Sequence, residues 1–223
     1  MHPPHWRAIG AEIGAFLLAA SCAGCDLPGV FLCEGCRGAL TPAPRELRTP
    51  AGLRVRAALP FEGVAARCIR SLKGEGATVL ARPLGTTLSG ALLDELDDGI
   101  RASPIPTSRA AFRRRGYRVP DMLLARAGVA PWRLLGHAGA RADQRGLGRA
   151  ERAQNVRGSM RARRRGEGAR VVLVDDVVTT GATFDEAARV LGQAGFEVVA
   201  AVALAATARH SGLRGDAPTT RSN

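Results

Sequence analysis

Two periods of apolar residues run along this chain, and the places where one gives way to the other mark its elements. Val171–Val174 is a continuous apolar run without polar alternation, the pattern of a parallel strand buried on both faces. Glu197–Leu204 is a second such run, and Arg56–Phe61 and Ile100–Ile105 predict two more strands. The last of these is stopped by the prolines at 104 and 106. Trp132–Leu135 predicts a further short strand. Helical spacing covers Phe61–Leu72, Thr78–Leu96, Val119–Ala127 and Ala182–Ala194, with Gly195 where a helix C-cap is expected. Strands alternating with helices predict an α/β domain with a mainly parallel sheet flanked by helices and right-handed crossovers. Asp143–Met160 is polar and arginine-rich, helical only in part, and no internal repeat is present.

The flanks read differently. Residues 7–20 are spaced as an amphipathic helix. Ala15–Ser21 before Cys22 has the look of a short export signal, but Glu12 interrupts the apolar run and Arg7 is the sole nearby cation. No stretch approaches the roughly 20 apolar residues that span a bilayer, so a cytoplasmic chain is expected. Residues 41–54 are proline-rich and read as a connector, and 209–223 as a disordered tail. The expected organisation is an N-terminal helix or tail over 1–20, a cysteine knuckle over 21–40, the connector 41–54, the main domain 55–208 and the tail 209–223.

Four of the five cysteines form two pairs, Cys22-x-x-Cys25 and Cys33-x-x-Cys36, separated by a short spacer containing Pro28 and Gly29. Each pair lets two thiolates reach one ion from a tight turn, and two such turns complete a tetrahedral site. In a reducing compartment a structural zinc is the better reading than a disulfide or a redox pair. Cys68 lies alone in an apolar helical stretch, as a packed residue would.

At 223 residues the chain holds one α/β domain and a small appendage. Aromatics make up 4%, so Ala, Val and Leu must build the core. The net charge of +12 favours anionic partners: phosphorylated metabolites, nucleic acid or acidic lipid. Arginine supplies all of the 32 basic side chains except Lys73, a bias that makes the lone lysine informative.

The chemistry concentrates at VVLVDDVVTTGAT, residues 171–183. Asp175 and Asp176 follow the apolar strand, and the small loop Thr179-Thr180-Gly181-Ala182-Thr183 opens a helix. Ligands of open α/β sheets bind beyond the strand carboxyl ends. A helix N-terminus presents free amides and a positive dipole end to an anion. Carboxylates for sugar hydroxyls beside a cradle for a phosphate suggest a ribose-5-phosphate site. An ATPase Walker B strand would need an upstream GxxxxGK[ST] loop, and Lys73 in SLKGEG does not supply one.

These thirteen residues resemble the signature of the type I phosphoribosyltransferases, which bind 5-phosphoribosyl-1-pyrophosphate (PRPP). The resemblance implies that Asp175 and Asp176 contact the ribose 2′- and 3′-hydroxyls. It implies that Val177, Val178 and Thr179 to Thr183 line the PRPP site, the loop wrapping the 5-phosphate. The four-cysteine knuckle, FEGVAARCIRSLKGEG, PIPTSRAAFRRRGY and DQRGLGRAERAQNVRG, in that order, are similar to the ComF family over residues 20–206. These are bacterial phosphoribosyltransferase-like proteins associated with DNA uptake in natural competence. By that resemblance Pro106, Thr107 and Arg109 face the pyrophosphate, and Arg113, Arg114, Arg115 and Gly116 begin a mobile segment over the site. Lys73, Gln144, Arg152 and Asn155 match other recurring polar positions. The implied activity is transfer of phosphoribosyl from PRPP, with Mg2+, to an unidentified nucleophile. The alternative is a non-catalytic PRPP or phosphate binder, or a single-stranded-DNA-binding uptake factor. No residue stands out as a base for an acceptor: His137 and His210 are isolated in the sequence.

Overall fold

The computed structural model describes residues 20–97, 99–138 and 156–208. A short helix α1 (Glu34–Gly38) closes the cysteine knuckle and is followed by strands β1 (Arg45–Arg48) and β2 (Arg54–Pro60). Helices α2 (Gly63–Gly74) and α3 (Ala81–Leu92) lead to β3 (Arg101–Pro104). Helices α4 (Arg109–Arg115) and α5 (Val119–Arg126) come next, then strands β4 (Leu135–His137) and β5 (Met160–Ala162). Strand β6 (Arg170–Val178), helix α6 (Ala182–Gln193) and strand β7 (Glu197–Ala206) complete the described chain.

The main sheet has the order β1-β2-β7-β6-β3. All pairings are parallel except that of the edge strand β1 with β2. Strands β4 and β5 form a separate antiparallel ribbon. The double burial expected of the apolar runs is realised residue by residue. Val172 and Val174 of β6 pack with α2, α3 and α5 on one face, while Val171 and Leu173 pack with α6 on the other. Along β7, Ala200, Val202 and Leu204 alternate in the same way with Ala201 and Ala203.

Three expectations change. The proline-rich segment 41–54 contains β1, whose residues Arg45–Arg48 pair with Ala57–Arg54. The arginine run 113–115 lies within α4, capped by Ser108, whose hydroxyl accepts from the Ala111 amide at 3.1 Å. The strand expected at Trp132–Leu135 begins at Leu135 instead; Trp132 donates its backbone N–H to Ala102 at 2.8 Å, alongside β3. The expected helix 7–20, the segment 143–155 and the tail 209–223 lie outside the described residues, apart from Ala20. Among the described residues no helix is long and apolar enough to cross a membrane.

Helix α3 crosses α5 at Gly85. A Cβ there would overlap Arg126 Cβ and sit 3.0 Å from the Leu123 carbonyl oxygen. The glycine is therefore required by the approach of two backbones, against a helix-propensity cost of about 1 kcal/mol. Gly85→Ala should lower the unfolding free energy in urea by about 1–3 kcal/mol through overpacking. Gly74→Ala, at the end of α2 where nothing lies within 4 Å, should be neutral or stabilising.

Candidate functional site

Strand β6 outruns its neighbour. Pro104, the last residue of β3, pairs with Val174, and the Ile105 amide donates to the Val174 carbonyl at 2.8 Å. Beyond that point β6 continues through Asp175 and Asp176 to Val178, still paired with β7 as far as Ala206. The acids are thus inside the strand, not after it, and they flank the crevice left where β3 stops. Consecutive strand residues point to opposite faces. Asp176 follows Val172 and Val174 toward the α2 face, where its Oδ1 accepts from Lys73 Nζ at 2.9 Å.

A cavity of about 250 Å3 opens there, lined by Lys73, Pro106, Thr107, Arg115, Asp175 and Asp176 among others. The Nε of Arg115 is buried without a hydrogen-bond partner. Behind the cavity, Tyr117 donates its hydroxyl to the carbonyl of Leu72, tying the end of the arginine-rich segment to the helix that carries Lys73. Burial and the adjacent Asp176 carboxylate push the Asp175 carboxyl up to about 8. The Asp176 amide and the Lys73 charge oppose that rise and do not overcome it.

The loop after β6 leads into α6. Gly181 is its N-cap, at φ +76°. A Cβ at Gly181 would lie 3.0 Å from Thr49 Cβ, so the turn after β1 acts as the loop's wall. In the same contact Asp185 accepts from the Ala51 amide at 3.1 Å. Thr179 and Thr180 are exposed, and the first-turn amides of α6 have no carbonyl of their own helix to bond. Val178, by contrast, is a core residue packed with Phe184.

The expected pyrophosphate-side residues are divided. Lys73, Pro106, Thr107 and Arg115 share the cavity with the acids, while Arg109 lines a neighbouring cleft. Arg113 and Arg114 are exposed and line neither. Gln144, Arg152, Asn155 and His210 lie outside the described residues. His137 is not isolated: its Nε2 donates to the Thr107 carbonyl at 2.9 Å.

The second candidate centre is the knuckle. The four sulfurs of Cys22, Cys25, Cys33 and Cys36 lie within 4.8 Å of one another. Cys25 and Cys33 are 3.7 Å apart, near the roughly 3.8 Å that Zn–S bonds of about 2.3 Å impose in a tetrahedron. Burial alone would push the Cys22 thiol up. Hydrogen bonds from the backbone of Cys33, Gly24 and Cys25 outweigh it and bring the thiol down to about 6. Burial and the surrounding sulfurs push Cys36 up. One thiolate is easy to form in this cluster and four are not, unless a cation joins them. The cluster could hold a metal such as zinc. Arg67 fastens it to the main domain, donating to Gly24 O at 2.8 Å and to Asp26 at 2.7 Å.

The Asp175 carboxyl sets a pH dependence. Its folded value, about 8, lies above the ordinary 3.8, so the folded chain binds a proton that the unfolded chain releases. This contribution is complete below pH 4 and fades as the pH rises toward 8. Asp175→Asn should remove that decline, raising the melting temperature relative to the wild type at pH 8 and leaving it little changed at pH 4. A parallel fall in both chains would contradict the assignment.

The sequence family described as phosphoribosyl transferase domain matches residues 138–221, just over a third of the chain. No curated protein matches the chain. Among solved structures, Leishmania donovani UMP synthase is 19% identical over 62% of this chain, with a TM-score of 0.36. This chain covers 24% of that enzyme's length. An adenine phosphoribosyltransferase is 14% identical, with 77% of this chain and 89% of that one covered and a TM-score of 0.36. The adenine phosphoribosyltransferase of Leishmania tarentolae is also 14% identical, over 63% of this chain and 76% of that one, at a TM-score of 0.36. The chain has a phosphoribosyltransferase-like α/β fold, a mainly parallel sheet flanked by helices, with a four-cysteine cluster at its N-terminal side that could hold a metal.

Proposed function

We propose that this chain binds PRPP at the carboxyl edge of β6 and transfers its 5-phosphoribosyl group to a nucleophilic acceptor, releasing pyrophosphate. The observation that carries the reading is the placement of Asp175 and Asp176 in one crevice with Lys73 and Arg115, one loop away from the N-terminus of α6. The carboxylates would accept hydrogen bonds from the ribose 2′- and 3′-hydroxyls. The loop Thr179–Thr183 would receive the 5-phosphate on its amides and hydroxyls.

In the reaction the bond between ribose C1 and the pyrophosphate oxygen breaks, and its electron pair leaves with pyrophosphate. The acceptor's lone pair forms the new bond to C1, and the acceptor loses a proton. Positive charge develops on the sugar ring and negative charge on the leaving group. Asp175 and Asp176 hold the sugar beside the first, while Arg115 and Lys73 lie where they would meet the second. Magnesium bound with PRPP would supply further neutralisation of the leaving oxygens. Zinc in the knuckle would have four thiolates and no open position, which suits a structural role.

A second reading is supported by the net charge of +12 and by the four-cysteine knuckle, both of which suit a nucleic-acid partner. In it the chain binds PRPP or single-stranded DNA without turnover, as a DNA-uptake factor of the ComF kind. Pyrophosphate release during a screen of nucleophiles separates the two.

Titration with PRPP and Mg2+ should show saturable binding that Asp175→Asn with Asp176→Asn weakens at least a hundredfold. Each charge-assisted hydrogen bond lost is worth about 1.5–3 kcal/mol. A wild-type chain that does not bind PRPP would sink the proposal. Metal analysis of the purified chain should find one zinc per chain. Cys22→Ser with Cys36→Ser should lose it and melt at a lower temperature; a cluster without metal in the wild type would overturn the structural zinc.

A further inference from the structure

Beyond the edge of β3, on the far side of the Ile105–Thr107 segment from the acids, lies a second cleft of about 200 Å3. It is bounded by α4, the start of α5 and the β4–β5 ribbon. Five guanidinium groups frame it: Arg109, Arg118, Arg133, Arg161 and Arg163. One carboxylate, Asp121, is among the lining residues, and it is already paired with Arg133. We propose that this cleft is an anion site separate from the ribose-phosphate pocket, and that it takes the polyphosphate chain of a small molecule.

Four of the five arginines have a contact that holds them. Arg163 Nε donates to the Leu135 carbonyl at 2.8 Å, and Arg161 Nε donates to that of His137 at 3.4 Å. Arg133 uses its Nε on Asp121, and Arg118 lies 4.3 Å from the centre of the Phe112 ring. Anchoring through Nε leaves the terminal Nη groups to donate, and those make the forked contacts that fit phosphate oxygens. A side chain fixed before binding loses less entropy when the ligand arrives. Guanidinium groups gathered around one cleft also repel one another, and a polyanion turns that repulsion into attraction.

All five arginines are exposed, yet they come from four separate places in the chain, α4, the residue before α5, the segment before β4 and the β5 region, and they line one cavity. The cavity is smaller than the roughly 300–1,000 Å3 that whole drug-sized ligands occupy, so a phosphate chain suits it better than an entire nucleotide. Asp175 and Asp176 line the other cavity and not this one. The two share the wall at Ile105–Thr107, and His137 of the ribbon holds the Thr107 carbonyl. Pro106, Thr107 and Arg109, which the resemblance sets facing the pyrophosphate, also line this cleft, whereas Arg118, Arg133, Arg161 and Arg163 belong to it alone.

Inorganic tripolyphosphate titrated into the full chain at about 0.15 M salt, where long-range surface electrostatics are screened, provides the test. Arg161→Gln with Arg163→Gln should weaken binding about tenfold or more, and Arg109→Gln with Arg118→Gln should do the same by a second route. Arg37→Gln with Arg82→Gln removes equal charge elsewhere and should change affinity less than about twofold. Thr180→Ala with Thr183→Ala, in the ribose-phosphate loop, should have as little effect. PRPP titration of the Arg161/Arg163 variant should remain near the wild-type curve if the chain binds PRPP, and a matching melting temperature certifies its fold. Equal losses in the Arg37/Arg82 variant would reduce the cleft to general surface charge. Loss in the Thr180/Thr183 variant with full binding in both cleft variants would put the anion in the other pocket. Either result overturns the proposal.

Discussion

Asp175 and Asp176 are neighbours on one strand and line one crevice with Lys73 and Arg115, so two carboxyl groups crowd a place with little water to solvate them. Lys73 bonds Asp176 directly and acts on Asp175 only through space. Burial and the neighbouring acid hold the Asp175 carboxyl in its protonated form up to about pH 8. A strand covered on both faces can carry this pair only where the adjoining strand has ended and ligand or solvent can reach in. The early stop of β3 at Pro104 and the onward run of β6 supply that place. The position of α2 follows from the same requirement, since its last turn must deliver Lys73 to the crevice. Tyr117 fixes that turn from behind through the Leu72 carbonyl.

The sheet's interior was legible in the sequence because a strand covered on both sides needs an unbroken apolar run, and Val171–Val174 and the alanine-rich β7 have one. The acids and the small-residue loop were legible because they are contiguous. Other elements left no such trace. Strand β1 buries little of its surface at the sheet edge, and proline-rich flanks disguise it. Helix α4 buries none of its residues, so it imposes no helical spacing on the arginines. Strand β5 is three residues long, too short for any period to register. The second cleft draws its arginines from positions 109 to 163, and in a chain whose 32 basic residues are nearly all arginine the four after Arg109 do not stand out. Only the convergence of separate segments distinguishes them.

The knuckle is joined to the domain from two directions. Arg67 of α2 holds its backbone and Asp26, while Thr87 of α3 donates to the carbonyl of Leu40 at 2.7 Å just after it. The helix whose last turn holds Lys73 therefore also carries the knuckle, through Arg67 six residues earlier along the same rod. A change of geometry at the sulfurs has a stiff element through which to reach the crevice.

The hairpin turn between β1 and β2 has the outward signs of a permissive surface loop: it is short, carries a proline and a glycine, and is exposed over residues 50–52. Its Thr49 nevertheless walls the Gly181 loop, and its Ala51 amide is held by Asp185 at the start of α6. An epitope tag or linker spliced into this turn would be felt at the opposite end of the sequence, in the loop that opens α6. For anyone engineering this chain, the hairpin is a fixed part of the scaffold and the wrong place to cut.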